Sequence, residues 1–116
     1  MSYQSLIEER GIRILIEEMI GDYQGDWLFF VKQGRKYGFV SVGYGSCSGC
    51  DAYDAAMDDG TLDELGEEIV ASIEWFDSLK SAKQYVGNAY ERALQWYYHE
   101  SGWDDFAREV SEYRAR

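Results

Sequence analysis

Apolar and polar positions along the chain follow two different periods, and each change of period marks an element. Ser5 and Glu8 stand at capping-box spacing, and Ile12, Leu15, Ile16 and Met19 follow at helical intervals up to Gly21. This pattern predicts a first helix over 5–21 with Gly11 as its soft spot. From Trp27 to Val31, and again from Tyr37 to Tyr44, aromatic and β-branched residues dominate on either side of Gln33-Gly34-Arg35. Two such runs around a short Gly-containing turn predict an antiparallel β-hairpin. Apolar side chains occur at both parities of the two strands, so both faces of the hairpin are expected to be covered.

Helical spacing returns in the second half. A short pattern runs through Met57 and breaks at Asp59-Gly60. Thr61 and Glu64 again have capping-box spacing, and Leu62, Leu65, Ile69, Ile73 and Phe76 form a narrow apolar stripe, which predicts a helix from Leu62 to about Trp75. Ala82, Val86, Ala89, Tyr90, Ala93 and Tyr97 mark a long helix. After Ser101-Gly102, a further helix carries Trp103, Phe106, Ala107 and Val110. The expected architecture is α+β: an antiparallel hairpin or small sheet packed against four to five helices.

A chain of 116 residues fits one domain, 1–116, with room for one core, and 46% hydrophobic residues suffice to fold it. There is no internal repeat and no interdomain linker. No apolar run approaches the roughly 18 residues needed to cross a bilayer, and Met1-Ser2-Tyr3-Gln4 lacks the features of a signal peptide. The expected location is the cytosol, where two cysteines point to free thiols or half a metal site rather than a structural disulfide.

Charge changes the picture most. Of 22 acidic and 11 basic residues, ten acids and no base fall between Tyr37 and Leu79. The net charge of −11 therefore resides almost wholly in that segment. On a helix, Asp63, Glu64, Glu67, Glu68 and Glu74 are expected to project away from the Leu62, Leu65, Ile69, Ile73 stripe as a continuous anionic surface, and Asp54, Asp58 and Asp59 join them as candidate partner-binding residues. Like charges three and four apart cost about 0.2–0.5 kcal/mol per pair, so fold stability does not account for the arrangement. Such a surface repels nucleic acid and anionic lipid, and it attracts the basic grooves that hold nucleic acid. Two other readings stand beside this one. The face can be a solvated surface that serves solubility, or Asp51, Asp54 and Asp58 can form a weak divalent-cation site, although no EF-hand spacing is present.

The segment Gly43-Tyr44-Gly45-Ser46-Cys47-Ser48-Gly49-Cys50 carries the remaining candidate chemistry. Cys47 and Cys50 form a single CxxC between a strand and a helix. A closed zinc site needs four ligands, so these two thiols would require His99 and a carboxylate, or a second protomer. Thiol-redox chemistry is opposed by the acidic surroundings, which raise a thiol pKa. A third reading makes both cysteines small structural residues of a tight loop. The glycine spacing does not match a dinucleotide fingerprint, and no Gly-Lys-Ser/Thr follows, so nucleotide binding at this loop is disfavoured. His99, the only histidine, is placed at a helix end, where it needs no catalytic duty. No catalytic set emerges, and the chain reads as a non-enzyme.

The block from Lys36 to Ala52, an aromatic strand running into Gly-Tyr-Gly-Ser-Cys-Ser-Gly-Cys-Asp, resembles a segment of small uncharacterised bacteriophage-encoded proteins. The resemblance covers roughly 26–58. It implies a phage or prophage origin, and with it a role in binding and disabling host enzymes that handle nucleic acid. The expected function is thus an acidic inhibitor of a basic host protein, in the manner of a DNA mimic, with a CRISPR effector or another defence enzyme as the partner. The competing expectation is a zinc or thiol-redox protein centred on Cys47 and Cys50.

Overall fold

The stretch that reads as one long helix is interrupted at Gly11, whose backbone takes a left-handed φ of 78°. In the computed structural model, which describes residues 3–21, 25–44, 52–96 and 101–115, α1 spans Tyr3–Glu8 and β1 spans Arg13–Gly21. The expected helix over 5–21 is therefore corrected to one short helix followed by a strand. Ser5 lies inside α1, so its spacing from Glu8 forms no capping box. The misleading periodicity has a physical cause: the register of β1 shifts between Ile14 and Ile16. Ile12 and Ile14 face one core, whereas Leu15, Ile16 and Ile20 face the other. A bulge changes the parity of a strand, so apolar positions on its two sides fall three and four apart, as they would on a helix.

The hairpin forms as its sequence demands. β2 (Gly25–Gln33) and β3 (Lys36–Tyr44) pair antiparallel, with Trp27 opposite Val42 and Phe30 opposite Phe39. Gly34 supplies the left-handed turn residue at φ 61°. The helices are α2 (Ala52–Asp59), α3 (Leu62–Ala71), α4 (Leu79–Trp96) and α5 (Ser101–Glu112), with β4 (Glu74–Phe76) between α3 and α4. The four strands make one antiparallel sheet in the order β1-β2-β3-β4.

Alternation along β2 divides the interior in two. Trp27, Phe29 and Val31 meet Leu6, Ile7 and Ile69 on the side of α1, α2 and α3, while Leu28 and Phe30 meet Val86, Phe106 and Val110 on the side of α4 and α5. Both faces of the sheet are thus covered, as the mixed parity of the hairpin predicts. Phe29 and Phe30 are each fully buried on opposite faces, and each such burial stabilises the fold by about 1.5–3 kcal/mol. The hydroxyl of Tyr3 ties three elements of the first layer together. It accepts from the backbone N–H of Tyr53 at 3.2 Å and donates to the carbonyl of Gly43 at 3.3 Å.

α3 stops at Ala71, four residues short of the expected end, and the chain straightens into β4. Trp75 then packs toward the first core and Phe76 toward the second. Adjacent side chains reach opposite faces only from a strand, and β4 gains its ladder by pairing with β3. Thr61 precedes α3 without a side-chain capping bond, so the Thr61–Glu64 box does not form. α2 ends differently. Gly60 at φ 73°, with Gly60 N–H donating to Met57 O and Thr61 N–H to Ala56 O, closes it in a Schellman motif.

Candidate functional site

The carboxylates singled out by the sequence belong to two neighbouring helices and a strand. Asp54, Asp58 and Asp59 are exposed on α2, and Asp63, Glu64, Glu67 and Glu68 are exposed on α3. Glu74 is exposed on β4, not on α3, and stands opposite Phe39 in the sheet. α2 and α3 pack against each other. The apolar sides that fix their orientation are Tyr53 and the buried Ala56 on α2 and Leu62, Leu65 and Ile69 on α3; Tyr53, Leu62, Leu65 and Ile69 belong to the first core or pack against it. Burial of that stripe leaves the acidic positions no direction but outward.

Between the two helices runs a groove of about 350 Å³. Ala52, Ala55, Ala56 and Leu65 contribute its small, apolar lining, and Asp59, Glu64 and Glu68 bring carboxylates to it. An apolar trough edged with negative charge suits the aliphatic stem and cationic head of a lysine or arginine side chain. Asp54, Asp58, Asp59, Glu64, Glu67 and Glu68 have no ion-pair partner among the described residues.

Two bases from outside the base-free segment approach it in space. Arg10 lies against α3: its Nη1 donates to Leu6 O at 3.0 Å and its Nη2 to Asp63 O at 2.8 Å, with the Asp63 carboxylate at 3.7 Å. The guanidinium rests directly over Gly66, where a Cβ would overlap it. Lys36 stands 3.9 Å from Asp77. Both are surface pairs of small energetic weight, and among the described residues no cation lines the α2–α3 groove.

Two further arrangements escape sequence reasoning because they depend on tertiary packing. Glu18 in β1 shares a hydrogen bond with Glu109 in α5. That bond, with burial and the negative charges of Glu109 and Asp105, pushes the Glu18 carboxyl up to about 7, while Arg108 acts in the opposite sense. Glu18 reads as a helix-face residue in the sequence, and no local signal connects it with Glu109. On the same side, Tyr90 in α4 donates to Asp104 in α5, and this bond raises the phenol above its ordinary value.

Cys47, Cys50 and Asp51 of the CxxC loop, together with His99, lie outside the described residues. Among the described residues, no group of three or more His, Cys, Asp or Glu side chains is placed to hold a metal ion. No helix among them is long and apolar enough to cross a membrane. Comparison with protein-family models, curated proteins and solved structures gives no match.

Proposed function

We propose that the chain is a non-enzymatic inhibitor that sets the acidic surface of α2 and α3 against a basic surface of a host protein that handles nucleic acid. A CRISPR effector or another defence enzyme fits that description. The observation that carries the reading is the α2–α3 pair itself: six exposed carboxylates without a cationic partner among the described residues, three of which, Asp59, Glu64 and Glu68, line a groove of about 350 Å³. A protein groove lined with Lys and Arg is built to exchange its counterions for phosphates, and a fixed array of carboxylates competes for the same charges. Lysine or arginine of the partner would enter the groove by its stem and meet Asp59, Glu64 and Glu68 with its head. The resemblance of the 36–52 block to phage-encoded proteins supports the same direction.

The test joins capture to displacement. Tagged chain is used to retain partners from a bacterial lysate at low and at high salt, and the retained protein is then challenged with labelled duplex DNA. The chain is expected to displace the duplex. The triple variant Glu64→Lys, Glu67→Lys, Glu68→Lys should lose at least about tenfold in apparent affinity, with a weaker salt dependence. Cys47→Ser should leave displacement intact. A retained protein whose grip on DNA is indifferent to the chain, or a triple variant as potent as the parent, would refute the proposal.

A further inference from the structure

The basic residues are not scattered to balance the acids. Arg13, Lys32 and Arg114 line one cavity of about 640 Å³, at the end of the sheet where β1 begins, β2 finishes and the chain leaves α5. Acids outnumber bases two to one in this chain, yet none of these three cations is ion-paired among the described residues. Among the described residues, the only carboxylate in the lining, Glu112, is 3.7 Å from the guanidinium of Arg108.

A second, independent observation concerns the strands. Arg13 and Lys32 are direct cross-strand partners. Like charges facing each other across an antiparallel pair are unfavourable for the sheet. Lys32 is held in place by the ring of Tyr37, whose centroid lies 5.1 Å from its Nζ, so the ammonium is positioned rather than free to swing away. Three cations gathered around a lining whose described carboxylate, Glu112, is turned to Arg108, with two of the cations in mutual repulsion, make a site that an anion would relieve.

The rest of the lining narrows the class of anion. Leu15 and Tyr113, both packed on the second core's side of the sheet, supply apolar wall. The bulge between Ile14 and Ile16 gives β1 its local distortion at this point. Tyr113 is fixed by edge contacts with Phe30 and Tyr37 at 6.0 and 6.3 Å, and so presents a rigid surface. The volume falls within the roughly 300–1,000 Å³ of small-molecule sites and exceeds the needs of a bare inorganic ion. Guanidinium forks recognise the oxygens of a phosphoryl group in pairs, and two guanidiniums with one ammonium suit a dianion better than a monocarboxylate.

We propose that the cavity bounded by Arg13, Lys32, Arg114 and Tyr113 binds a phosphate monoester carried on an apolar or aromatic body. This site shares no residue with the acidic α2–α3 surface, and the two proposals stand or fall separately. The two arginines and Lys32 hold the phosphoryl oxygens, and the ester's organic part lies against Leu15 and Tyr113.

Phenyl phosphate, inorganic phosphate and benzoate are the probes, each titrated into isotopically labelled full-length protein and followed by backbone and side-chain NMR shifts. Phenyl phosphate is expected to saturate, with shifts centred on Arg13, Lys32 and Tyr113. Inorganic phosphate and benzoate should each bind at least about tenfold more weakly. Affinity for phenyl phosphate should fall as pH drops through about 6, where the ester takes up its second proton. Arg13→Gln and Lys32→Gln should each weaken binding about tenfold or more, with an unchanged or higher thermal midpoint because the repulsion between them is removed. Arg92→Gln, on the exposed side of α4, should bind as the parent does. Absence of saturation into the millimolar range, equal affinity for benzoate or inorganic phosphate, or full binding by the Arg13 and Lys32 variants would overturn the proposal.

Discussion

Gly102, in the first turn of α5, lies so close to the backbone carbonyl of Met19 in β1 that a Cβ at this position would overlap the oxygen. The helix therefore meets the edge strand backbone to backbone, and a residue that looks like a helix-start signal in the sequence is a packing requirement in the fold. Glycine is needed here for its missing side chain.

Gly102→Ala is accordingly expected to destabilise the protein by about 1–3 kcal/mol, the usual cost of overpacking a rigid contact. The opposing atom is backbone and cannot rotate away. Chemical denaturation should show a lower midpoint at unchanged slope. A midpoint equal to that of the parent would mean that α5 slides along β1 without penalty.

Across the same interface, stability should depend on pH through Glu18. Its carboxyl is raised from an ordinary 4.5 to about 7, chiefly by the hydrogen bond to Glu109. The folded protein thus holds a proton that the unfolded chain releases at lower pH. The stabilisation is complete below pH 4.5 and is lost as pH rises toward about 7. Glu18→Gln keeps a donor facing Glu109 at every pH and should flatten that decline. Denaturation midpoints measured at several pH values for both proteins check it, and parallel profiles would disprove the shared proton.

Arg10 joins α1 to α3 through two carbonyls, those of Leu6 and Asp63. Arg10→Ala should cost about 1 kcal/mol and speed amide exchange in α1, since both bonds are charge-assisted, the one to Leu6 part-buried and the one to Asp63 exposed. Arg10→Lys should not restore the loss, because a single ammonium lacks the fork that spans both acceptors. Restoration by lysine would show that charge alone holds α1 in place.

Stability and partner affinity should separate on α3. Glu67→Lys replaces the repulsion between Asp63 and Glu67, one helical turn apart, by attraction, and should change stability by no more than about 0.5 kcal/mol, in the favourable direction if at all. The same substitution should weaken the proposed partner complex and reduce its salt dependence. Thermal midpoints and the displacement assay, run on the same preparation, report the two effects independently.

The hairpin was legible, with its first strand read two residues short at each end, because its signal is local. Aromatic and β-branched runs flank a glycine that adopts the left-handed turn, and each strand's alternation places Phe29 and Phe30 on opposite faces. α4 and α5 were equally legible from their stripes. β1 was not, since its bulge disguises a strand as a helix, and β4 was not, since three residues become a strand only when β3 is beside them. Of the candidate site, the exposure of Asp63, Glu64, Glu67 and Glu68 followed from the apolar stripe opposite them. The α2–α3 groove and the proximity of Arg10 to Asp63 required coordinates.

Composition and order along the chain determined that the protein is α+β, that its middle segment is anionic and that the hairpin forms. These are properties of neighbouring residues, governed by short-range sterics and by a count of charges. Tertiary structure alone decided that Glu18 meets Glu109, that Arg13 faces Lys32 beside Arg114, and that two helices share one acidic groove. Electrostatics and packing act through space, and which distant charges become neighbours is settled only when the core has closed.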